Sequence, residues 1–111
     1  MRIYLAGPMT GLPELNFPAF NAMAARLREL GQEVANPAEI NADPDANWRD
    51  CMKADIAQLV TCDAIATLPG WAASRGASLE VFIATQLGLA VHDAERLAAG
   101  LELVRREGLA A

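Results

Sequence analysis

The sequence predicts one α/β domain, in which helices cover both faces of a doubly wound, flavodoxin- or Rossmann-like parallel sheet of about four strands. Short apolar segments alternate with segments of helical periodicity, at intervals of roughly thirty residues. The first three apolar segments end at dipeptides that interrupt strands, Gly7-Pro8, Asn36-Pro37 and Pro69-Gly70. With 111 residues, of which 53% are hydrophobic, residues 1–111 are expected to form a single domain around one core.

The predicted strands cover residues 2–6, 32–36, 63–68 and 89–92. The first of them is short and apolar and is followed at once by Gly-Pro, as expected for a buried strand. The segment 7–15 holds two glycines and two prolines, and the segment 38–46 is acidic and contains proline. Both segments are therefore predicted to be loops.

The first two predicted helices cover residues 16–30 and 47–60. Asn16 is a candidate N-cap for the first helix, Pro18 is tolerated in its first turn, and Gly31 is a natural stop. Between them, apolar residues recur with helical spacing at Phe20, Met23, Ala24, Leu27 and Leu30.

The last two predicted helices cover residues 76–87 and 93–106. Four apolar residues of the earlier helix are expected to face inward: Leu79, Phe82, Ile83 and Leu87. The final helix starts at Asp93 as its N-cap, and Leu97, Leu101 and Val104 follow as an apolar stripe. That stripe suits packing and could meet another subunit, which favours a homo-oligomer.

Charge and cysteine content narrow the class of protein. The net charge is −5 and the nine basic residues are scattered, which argues against a nucleic-acid polymer as partner and leaves a single nucleotide open. Cys51 and Cys62 form no CxxC motif and are interpreted as reduced thiols of a cytoplasmic core. No apolar segment has the length of a membrane span or of a signal peptide, so we expect a cytoplasmic protein without a membrane partner.

The sequence indicates no metal and no cofactor. Asp43, Asp45 and Asn47 imitate the opening of a calcium loop. Such a loop needs Gly and Glu where this chain has Trp48 and Ala54, so we reject that interpretation. The single histidine, His92, lies near a strand end with no nucleophile arranged beside it and is interpreted as structural.

Asp55 is the least expected residue of the second predicted helix. When this helix is wound at 100° per residue, Asp55 falls in the middle of an apolar stripe formed by Trp48, Cys51, Met52 and Leu59. An ionised carboxylate that is dry and unpaired is very costly, so such a residue is normally paired, hydrated or functional. Pairing with Arg49 or Lys53, or capping of a nearby loop, is the structural alternative.

Glu80 follows a run of small residues that opens the third predicted helix. The amides at the start of this helix could hold an anion, and Ser74 and Gly76 leave room for one. On the helical wheel Glu80 lies at the margin of the buried stripe, about 20° from Leu87. A carboxylate on the helix surface is the structural alternative.

Three other features lie near the predicted strand ends. The loop Gly7-Pro8-Met9-Thr10-Gly11 has enough glycine to let a ligand approach the backbone, although it is equally an ordinary strand-to-helix turn. The hydroxyl of Tyr4 would point either into a site or outward. Trp71 would either stack on a base as a lid or anchor a loop. Ligands of doubly wound folds bind beyond the carboxyl ends of the strands, so these features predict a carboxylate-bearing site for a small molecule.

These residues resemble a known superfamily. Residues 3–11, the spacing from 54–56 to 62–64, and the set Ser74, Gly76 and Glu80 together are similar to the nucleoside 2-deoxyribosyltransferase-like superfamily, which includes the 2′-deoxynucleoside 5′-phosphate N-hydrolases. Residues 4–11, 16–20, 36–37, 68–71 and 74–77 resemble its short bacterial and phage branch, a domain of unknown function named DUF4406. The likeness covers residues 2 to about 92.

The resemblance implies roles for individual residues. Glu80 would attack C1′ of a (deoxy)ribosyl group, Asp55 would assist departure of the base with a proton, and Tyr4 would orient the Glu80 carboxylate. Burial of Asp55 would raise its pKa, which suits proton donation. The implied substrate-binding residues are Gly7, Pro8, Met9, Thr10, Trp71, Ser74 and Gly76.

The chain also departs from the characterised enzymes. Bulky Val81 and Phe82 stand where those enzymes have small residues after the nucleophile, and Thr10 aligns with the arginine that grasps phosphate in the hydrolases. No asparagine occurs after Asn47, whereas the transferases use one near the C-terminus of a partner subunit. These differences put 5′-phosphate specificity and transferase activity in doubt.

The combined expectation is a protein that binds a nucleoside or nucleotide and cleaves its N-glycosidic bond through Glu80, either as a hydrolase or as a transferase. Two alternatives stay open. The first is a non-catalytic nucleotide-binding or sensing module that keeps the pocket without the chemistry. The second is a small phage-associated interaction protein that uses the fold as a scaffold.

Overall fold

The protein is an α/β domain built on a four-stranded parallel sheet with the strand order β2-β1-β3-β4, which confirms the predicted fold class. The computed structural model describes residues 1–110 and the side chains of residues 1–107. The strands are β1 (Arg2–Ala6), β2 (Glu33–Ala35), β3 (Ala64–Thr67) and β4 (Ala90–Asp93).

Five helices connect and follow the strands. They are α1 (Phe17–Glu29), α2 (Pro37–Ile40), α3 (Trp48–Leu59), α4 (Arg75–Gln86) and α5 (Ala94–Ala110). Two short 3₁₀ turns, Pro13–Asn16 and Trp71–Ala73, precede α1 and α4. The short α2 lies in a segment that was predicted to be loop, because the Asn36 side chain accepts a hydrogen bond from the Ala38 amide and so caps a helical turn that starts at Pro37.

The alternating side chains of β1 divide the core into two layers. Ile3 and Leu5 face α1 and α5, and Tyr4 and Ala6 face α3 and α4. All four residues have no exposed surface. The phenol of Tyr4 is therefore inside the molecule, on the face covered by the two helices that carry Asp55 and Glu80.

The sheet has its switch point between β1 and β3. The chain leaves β1 for β2 on one side and returns to β3 on the other, and both pairings are parallel. Because the connections that follow β1 and β3 run to opposite faces of the sheet, a crevice opens at the carboxyl ends of these two strands. The loop after β1 and the segment that leads into α4 both border this crevice.

The predicted inward face of α4 is wrong in three of its four residues. Leu79, Phe82 and Leu87 are 38%, 60% and 55% exposed, and of the four only Ile83 packs partly against the core. The buried residues of this helix are Ala77, Glu80 and Ala84. A helix that lies close to a sheet needs small residues at the contact, so the side chains that face the sheet are short ones flanking Glu80.

Two predicted helix starts have different outcomes. Asp93 accepts a hydrogen bond from the Arg96 amide at 3.0 Å, which confirms it as the cap of α5. Asn16 makes no side-chain capping bond, and its amide donates instead to the Pro8 carbonyl at 3.0 Å. Glu14, Leu15 and Asn16 all have φ between 53° and 60°, so the chain turns sharply here, and the Asn16 amide ties the loop after β1 to the start of α1.

The final helix packs on its own domain. Leu97 and Leu101 contact the core layer beneath α1, together with buried Ala94 and Ala98, whereas Val104 is 65% exposed. The predicted stripe is thus correct for its first two members only. Within residues 1–110, no helix combines the length and the apolar character needed to cross a bilayer.

Candidate active site

A cleft of about 670 Å³ lies over the carboxyl ends of the strands, at the switch point of the sheet. Eight of the ten site residues predicted from the sequence line it: Gly7, Pro8, Met9, Thr10, Asp55, Ser74, Gly76 and Glu80. Tyr4 lies below the cleft and reaches it through Glu80. Trp71 is not among the lining residues, because its ring packs against the core layer of Tyr4 and Leu59.

Two of the predicted glycines lie where the packing around the cleft is close. A Cβ at Gly7 would lie 2.8 Å from the Cβ of Leu68, so the loop after β1 runs tightly against the end of β3. A Cβ at Gly76 would lie 3.3 Å from the sulfur of Met52 and 3.7 Å from the ring nitrogen of Trp48. Gly76 therefore lets α4 approach α3, which brings Glu80 close to Asp55.

Tyr4 and Glu80 form a buried pair at the floor of the cleft. The Tyr4 hydroxyl donates a hydrogen bond to Oε2 of Glu80. Tyr4 has no exposed surface, and Glu80 is 5% exposed on the side of α4 that faces the sheet. Glu80 is thus an interior residue in contact with the only tyrosine of the chain, and the surface alternative does not apply.

Asp55 is buried beside this pair and is held by an asparagine. It is 6% exposed, and its Oδ1 accepts a hydrogen bond from Nδ2 of Asn41 at 2.6 Å. None of the ion pairs formed by side chains 1–107 includes Asp55 or Glu80. The alternative pairing with Arg49 or Lys53 is therefore wrong, because both cations are exposed on other faces of α3.

Burial raises the pKa of both acids. Desolvation raises the pKa of Glu80 to about 8, with a smaller contribution from the negative charge of Asp55, while the Tyr4 hydrogen bond acts in the opposite direction. Desolvation also raises the pKa of Asp55 to about 6, against the hydrogen bonds of Asn41 and Tyr4. The same burial, together with the charge of Glu80, raises the pKa of Tyr4 well above its usual value.

Three residues of the site were not expected from the sequence. Asn41 lies just after α2, in a segment interpreted as loop, and nothing in the local sequence marks it. Trp48 and Arg75 both line the cleft, and the guanidinium carbon of Arg75 lies 3.9 Å from the centre of the Trp48 ring. The sequence places Trp48 in the same apolar stripe as Asp55, and this proximity could have identified Trp48, rather than Trp71, as the aromatic wall of the cleft.

Ser74 has a structural use in addition to its place in the cleft. Its Oγ accepts a hydrogen bond from the Ala77 amide at 3.3 Å and so caps α4. Among the described residues there is no group of three or more His, Cys, Asp or Glu side chains that could hold a metal ion.

The two buried acids should make the folded protein less stable as the pH rises. Between the ordinary carboxyl values near 4 and the raised pKa values of about 6 and about 8, the folded state binds more protons than the unfolded state. Each unit of displacement is worth about 1.4 kcal/mol. We expect the free energy of unfolding, measured with urea from pH 5 to pH 8.5, to fall across this range.

The free energy of unfolding of the variant Glu80→Gln should fall less steeply with pH than that of the wild type. At pH 8.5 the variant should be the more stable of the two proteins. Glu29→Gln changes an exposed carboxylate of α1 and should reproduce the wild-type slope. Equal slopes for Glu80→Gln and the wild type would show that Glu80 is not a buried acid.

Comparison with known proteins places the chain in a family. The model of a family described as "Domain of unknown function (DUF4406)" matches residues 1–93. No curated protein matches the chain. The matched segment runs from before β1 to the end of β4 and includes every side chain that lines the cleft. Because the match covers well over half of the chain, the protein belongs to the DUF4406 family.

Proposed function

We propose that the protein binds a nucleoside or nucleotide and cleaves its N-glycosidic bond through Glu80, as a member of the nucleoside 2-deoxyribosyltransferase-like superfamily. The observation that carries this proposal is the meeting of Glu80, Asp55 and Tyr4 at the floor of one cleft. Two carboxyl groups beside the scissile bond are what glycosidic cleavage through an oxocarbenium-like state requires.

The size and the walls of the cleft support a ligand with one flat apolar part and one polar part. Its volume of about 670 Å³ is within the usual range for small-molecule sites. Apolar side chains form much of the wall, among them Met9, Leu15, Phe17 and Trp48. A base would lie along these apolar residues, and the sugar would lie over the two acids at the floor.

The proposed reaction has two steps. In the first, ionised Glu80 attacks C1′, the bond from C1′ to the base nitrogen breaks, and that nitrogen takes the proton of Asp55. In the second, water attacks C1′ while giving a proton to the Asp55 carboxylate, and the bond from C1′ to Glu80 breaks. Both acids are then restored. If a second base replaces the water, the same steps give a transferase.

A non-catalytic nucleotide-binding module is the second candidate, and one observation favours it. The pKa of Glu80 is raised to about 8, so near neutral pH this residue is mostly protonated and is a poor nucleophile in the free protein. A module that only binds its ligand would use Glu80 as a neutral hydrogen-bonding group.

Release of free base distinguishes the two candidates. The protein is incubated with deoxyribonucleosides and ribonucleosides, each with and without a 5′-phosphate, and free base is measured by chromatography. We expect base release by the wild type, a loss of about a thousandfold or more in Glu80→Gln, and a loss of about a hundredfold or more in Asp55→Asn. Glu29→Gln, which is far from the cleft, should retain full activity.

Two results would contradict the proposed cleavage or the proposed role of Glu80. Nucleotides that stabilise the wild type against heat but release no base would contradict cleavage and support the binding module. Base release that survives in Glu80→Gln would contradict the role of Glu80 while leaving a hydrolytic site in place.

We also propose that the protein is a homo-oligomer in which a second copy covers the outer face of α4 and β4. Residues 76–91 contain one acidic and no basic side chain, and that acid is the buried Glu80. The exposed apolar residues of this face are Leu79, Phe82, Leu87 and Val91. Two copies that each carry a net charge of −5 would meet with least repulsion on an uncharged face. β4 is also an edge strand of the sheet.

Sedimentation equilibrium tests this surface. Phe82→Glu should lower the mass of the wild-type oligomer towards that of one chain, because it places a charge in an apolar interface. Leu103→Glu is the matched control, since Leu103 is 58% exposed on α5, at the opposite face of the sheet. A monomeric wild type, or equal effects of the two substitutions, would refute the proposed surface.

A further inference from the structure

Asn41 is the residue that holds the carboxyl group of Asp55. Its Nδ2 atom donates a hydrogen bond to Oδ1 of Asp55 at 2.6 Å, and both side chains line the cleft. Asp55 is 6% exposed and takes part in none of the ion pairs formed by side chains 1–107. The bond from Asn41 is therefore a strong restraint on the orientation of this buried carboxyl group.

The segment that carries Asn41 is anchored to α1. Asn41 directly follows α2, a helix of four residues. Asn36 caps the start of that helix, and its own amide group donates to Oδ1 of Asn21 on α1 at 3.0 Å. Glu39 of α2 accepts two hydrogen bonds from Arg28 of α1, one on each carboxylate oxygen. These contacts fix the place from which the Asn41 side chain reaches Asp55.

The direction of the bond decides which oxygen of Asp55 can carry a hydrogen. The NH₂ group of an amide donates and cannot accept, so Oδ1 of Asp55 has to be the acceptor. In a protonated carboxyl group one oxygen holds the hydrogen, and the carbonyl oxygen is the better acceptor. Asn41 thus makes Oδ1 the carbonyl oxygen and leaves the acidic hydrogen to Oδ2.

We propose that Asn41 is a positioning residue that makes Oδ2 of Asp55 the atom which gives a proton to the leaving base. This inference rests on the proposed function and deepens it, because it identifies the acidic atom and the residue that selects it. In the step, the bond between Oδ2 and its hydrogen breaks as a bond forms between that hydrogen and the base nitrogen. The electron pair of the broken bond stays on the Asp55 carboxylate.

The same hydrogen bond favours the proton transfer energetically. As Oδ2 loses its hydrogen, negative charge spreads over both carboxylate oxygens, and the bond from Asn41 becomes a bond to an anion. Such bonds are roughly twice as strong as those between neutral groups. A contact that strengthens as charge develops lowers the barrier, in addition to orienting the group. The hydroxyl of Tyr4 donates to Glu80, so this part falls to Asn41.

A comparison of two leaving groups tests the inference on the full protein. A natural base needs a proton to leave, whereas 4-nitrophenolate leaves C1′ as a stable anion and needs none. Asn41→Leu removes the donor and should lower kcat for the nucleoside or nucleotide that is cleaved best by about 10- to 100-fold. It should cleave the 4-nitrophenyl glycoside of the same sugar at the wild-type rate. Asp55→Asn should show the same split between the two substrates.

Three further variants show whether Asn41 acts through Asp55. Asn41→Gln keeps an amide donor and should retain more activity on the natural substrate than Asn41→Leu. Asn41→Leu combined with Asp55→Asn should be no slower than Asp55→Asn alone, because the two residues act as one unit. Asn21→Leu removes the partner of Asn36 and no contact of Asp55, so it should match the wild type on both substrates.

A measurement without ligand separates this inference from the proposed function. In proton NMR of the full protein, the side-chain amide resonance of Asn41 should move as Asp55 titrates and should lose this movement in Asp55→Asn. The measurement needs only the wild type and Asp55→Asn, so it stands even if Asn41→Leu does not fold.

Three outcomes would overturn the inference. They are an equal loss with both leaving groups in Asn41→Leu, no loss with either of them, and an Asn41 amide resonance that ignores Asp55. The first would show that Asn41 supports the fold of the cleft and not the acid. A wild type that releases neither base nor nitrophenolate would refute the proposed function. The amide titration then decides by itself whether Asn41 holds the Asp55 carboxyl group.

Discussion

Two carboxyl groups buried in one crevice are the constraint on which the rest of this structure depends. Asp55 and Glu80 are 6% and 5% exposed, and none of the described side chains offers either of them a cation. Two adjacent charges in a medium of low polarity are too costly to coexist. Burial raises the pKa of both acids, and the hydrogen bonds from Tyr4 to Glu80 and from Asn41 to Asp55 act in the opposite direction.

The fold brings these groups together from distant parts of the sequence. β1 is central, so its side chains are buried on both faces, and Tyr4 points to the layer of α3 and α4. The switch point then opens a crevice where the loops after β1 and β3 diverge. Gly76 allows the two helices to approach, and the short residues Ala77 and Ala84 seat α4 against the sheet. Both acids are therefore interior residues that line the cleft.

Most of the architecture could be predicted from the sequence, because periodicity and interrupting dipeptides are local signals. The central position of Asp55 in an apolar stripe was such a signal, and it identified Asp55 as one of the two acids of the site. The inward face of α4 could not be found in the same way, since summing hydrophobicity favours Phe82 and Leu87 over the small residues that contact the sheet. The role of Asn41 could not be predicted from the sequence. Its contact with Asp55 depends on how α2 sits beside α3, and that is a tertiary property.

The central claim is that Glu80 becomes covalently attached to the sugar, and mass spectrometry tests it most directly. A nucleoside whose 2′-fluorine slows departure of the sugar from the protein is mixed with the wild type and quenched in acid. Trypsin cleavage after Arg75 and Arg96 isolates Glu80 in the peptide of residues 76–96. We predict that this peptide gains the mass of the fluorinated sugar and that fragmentation places it on Glu80. Base release without any adduct on this peptide, or an adduct on another residue, would contradict the account.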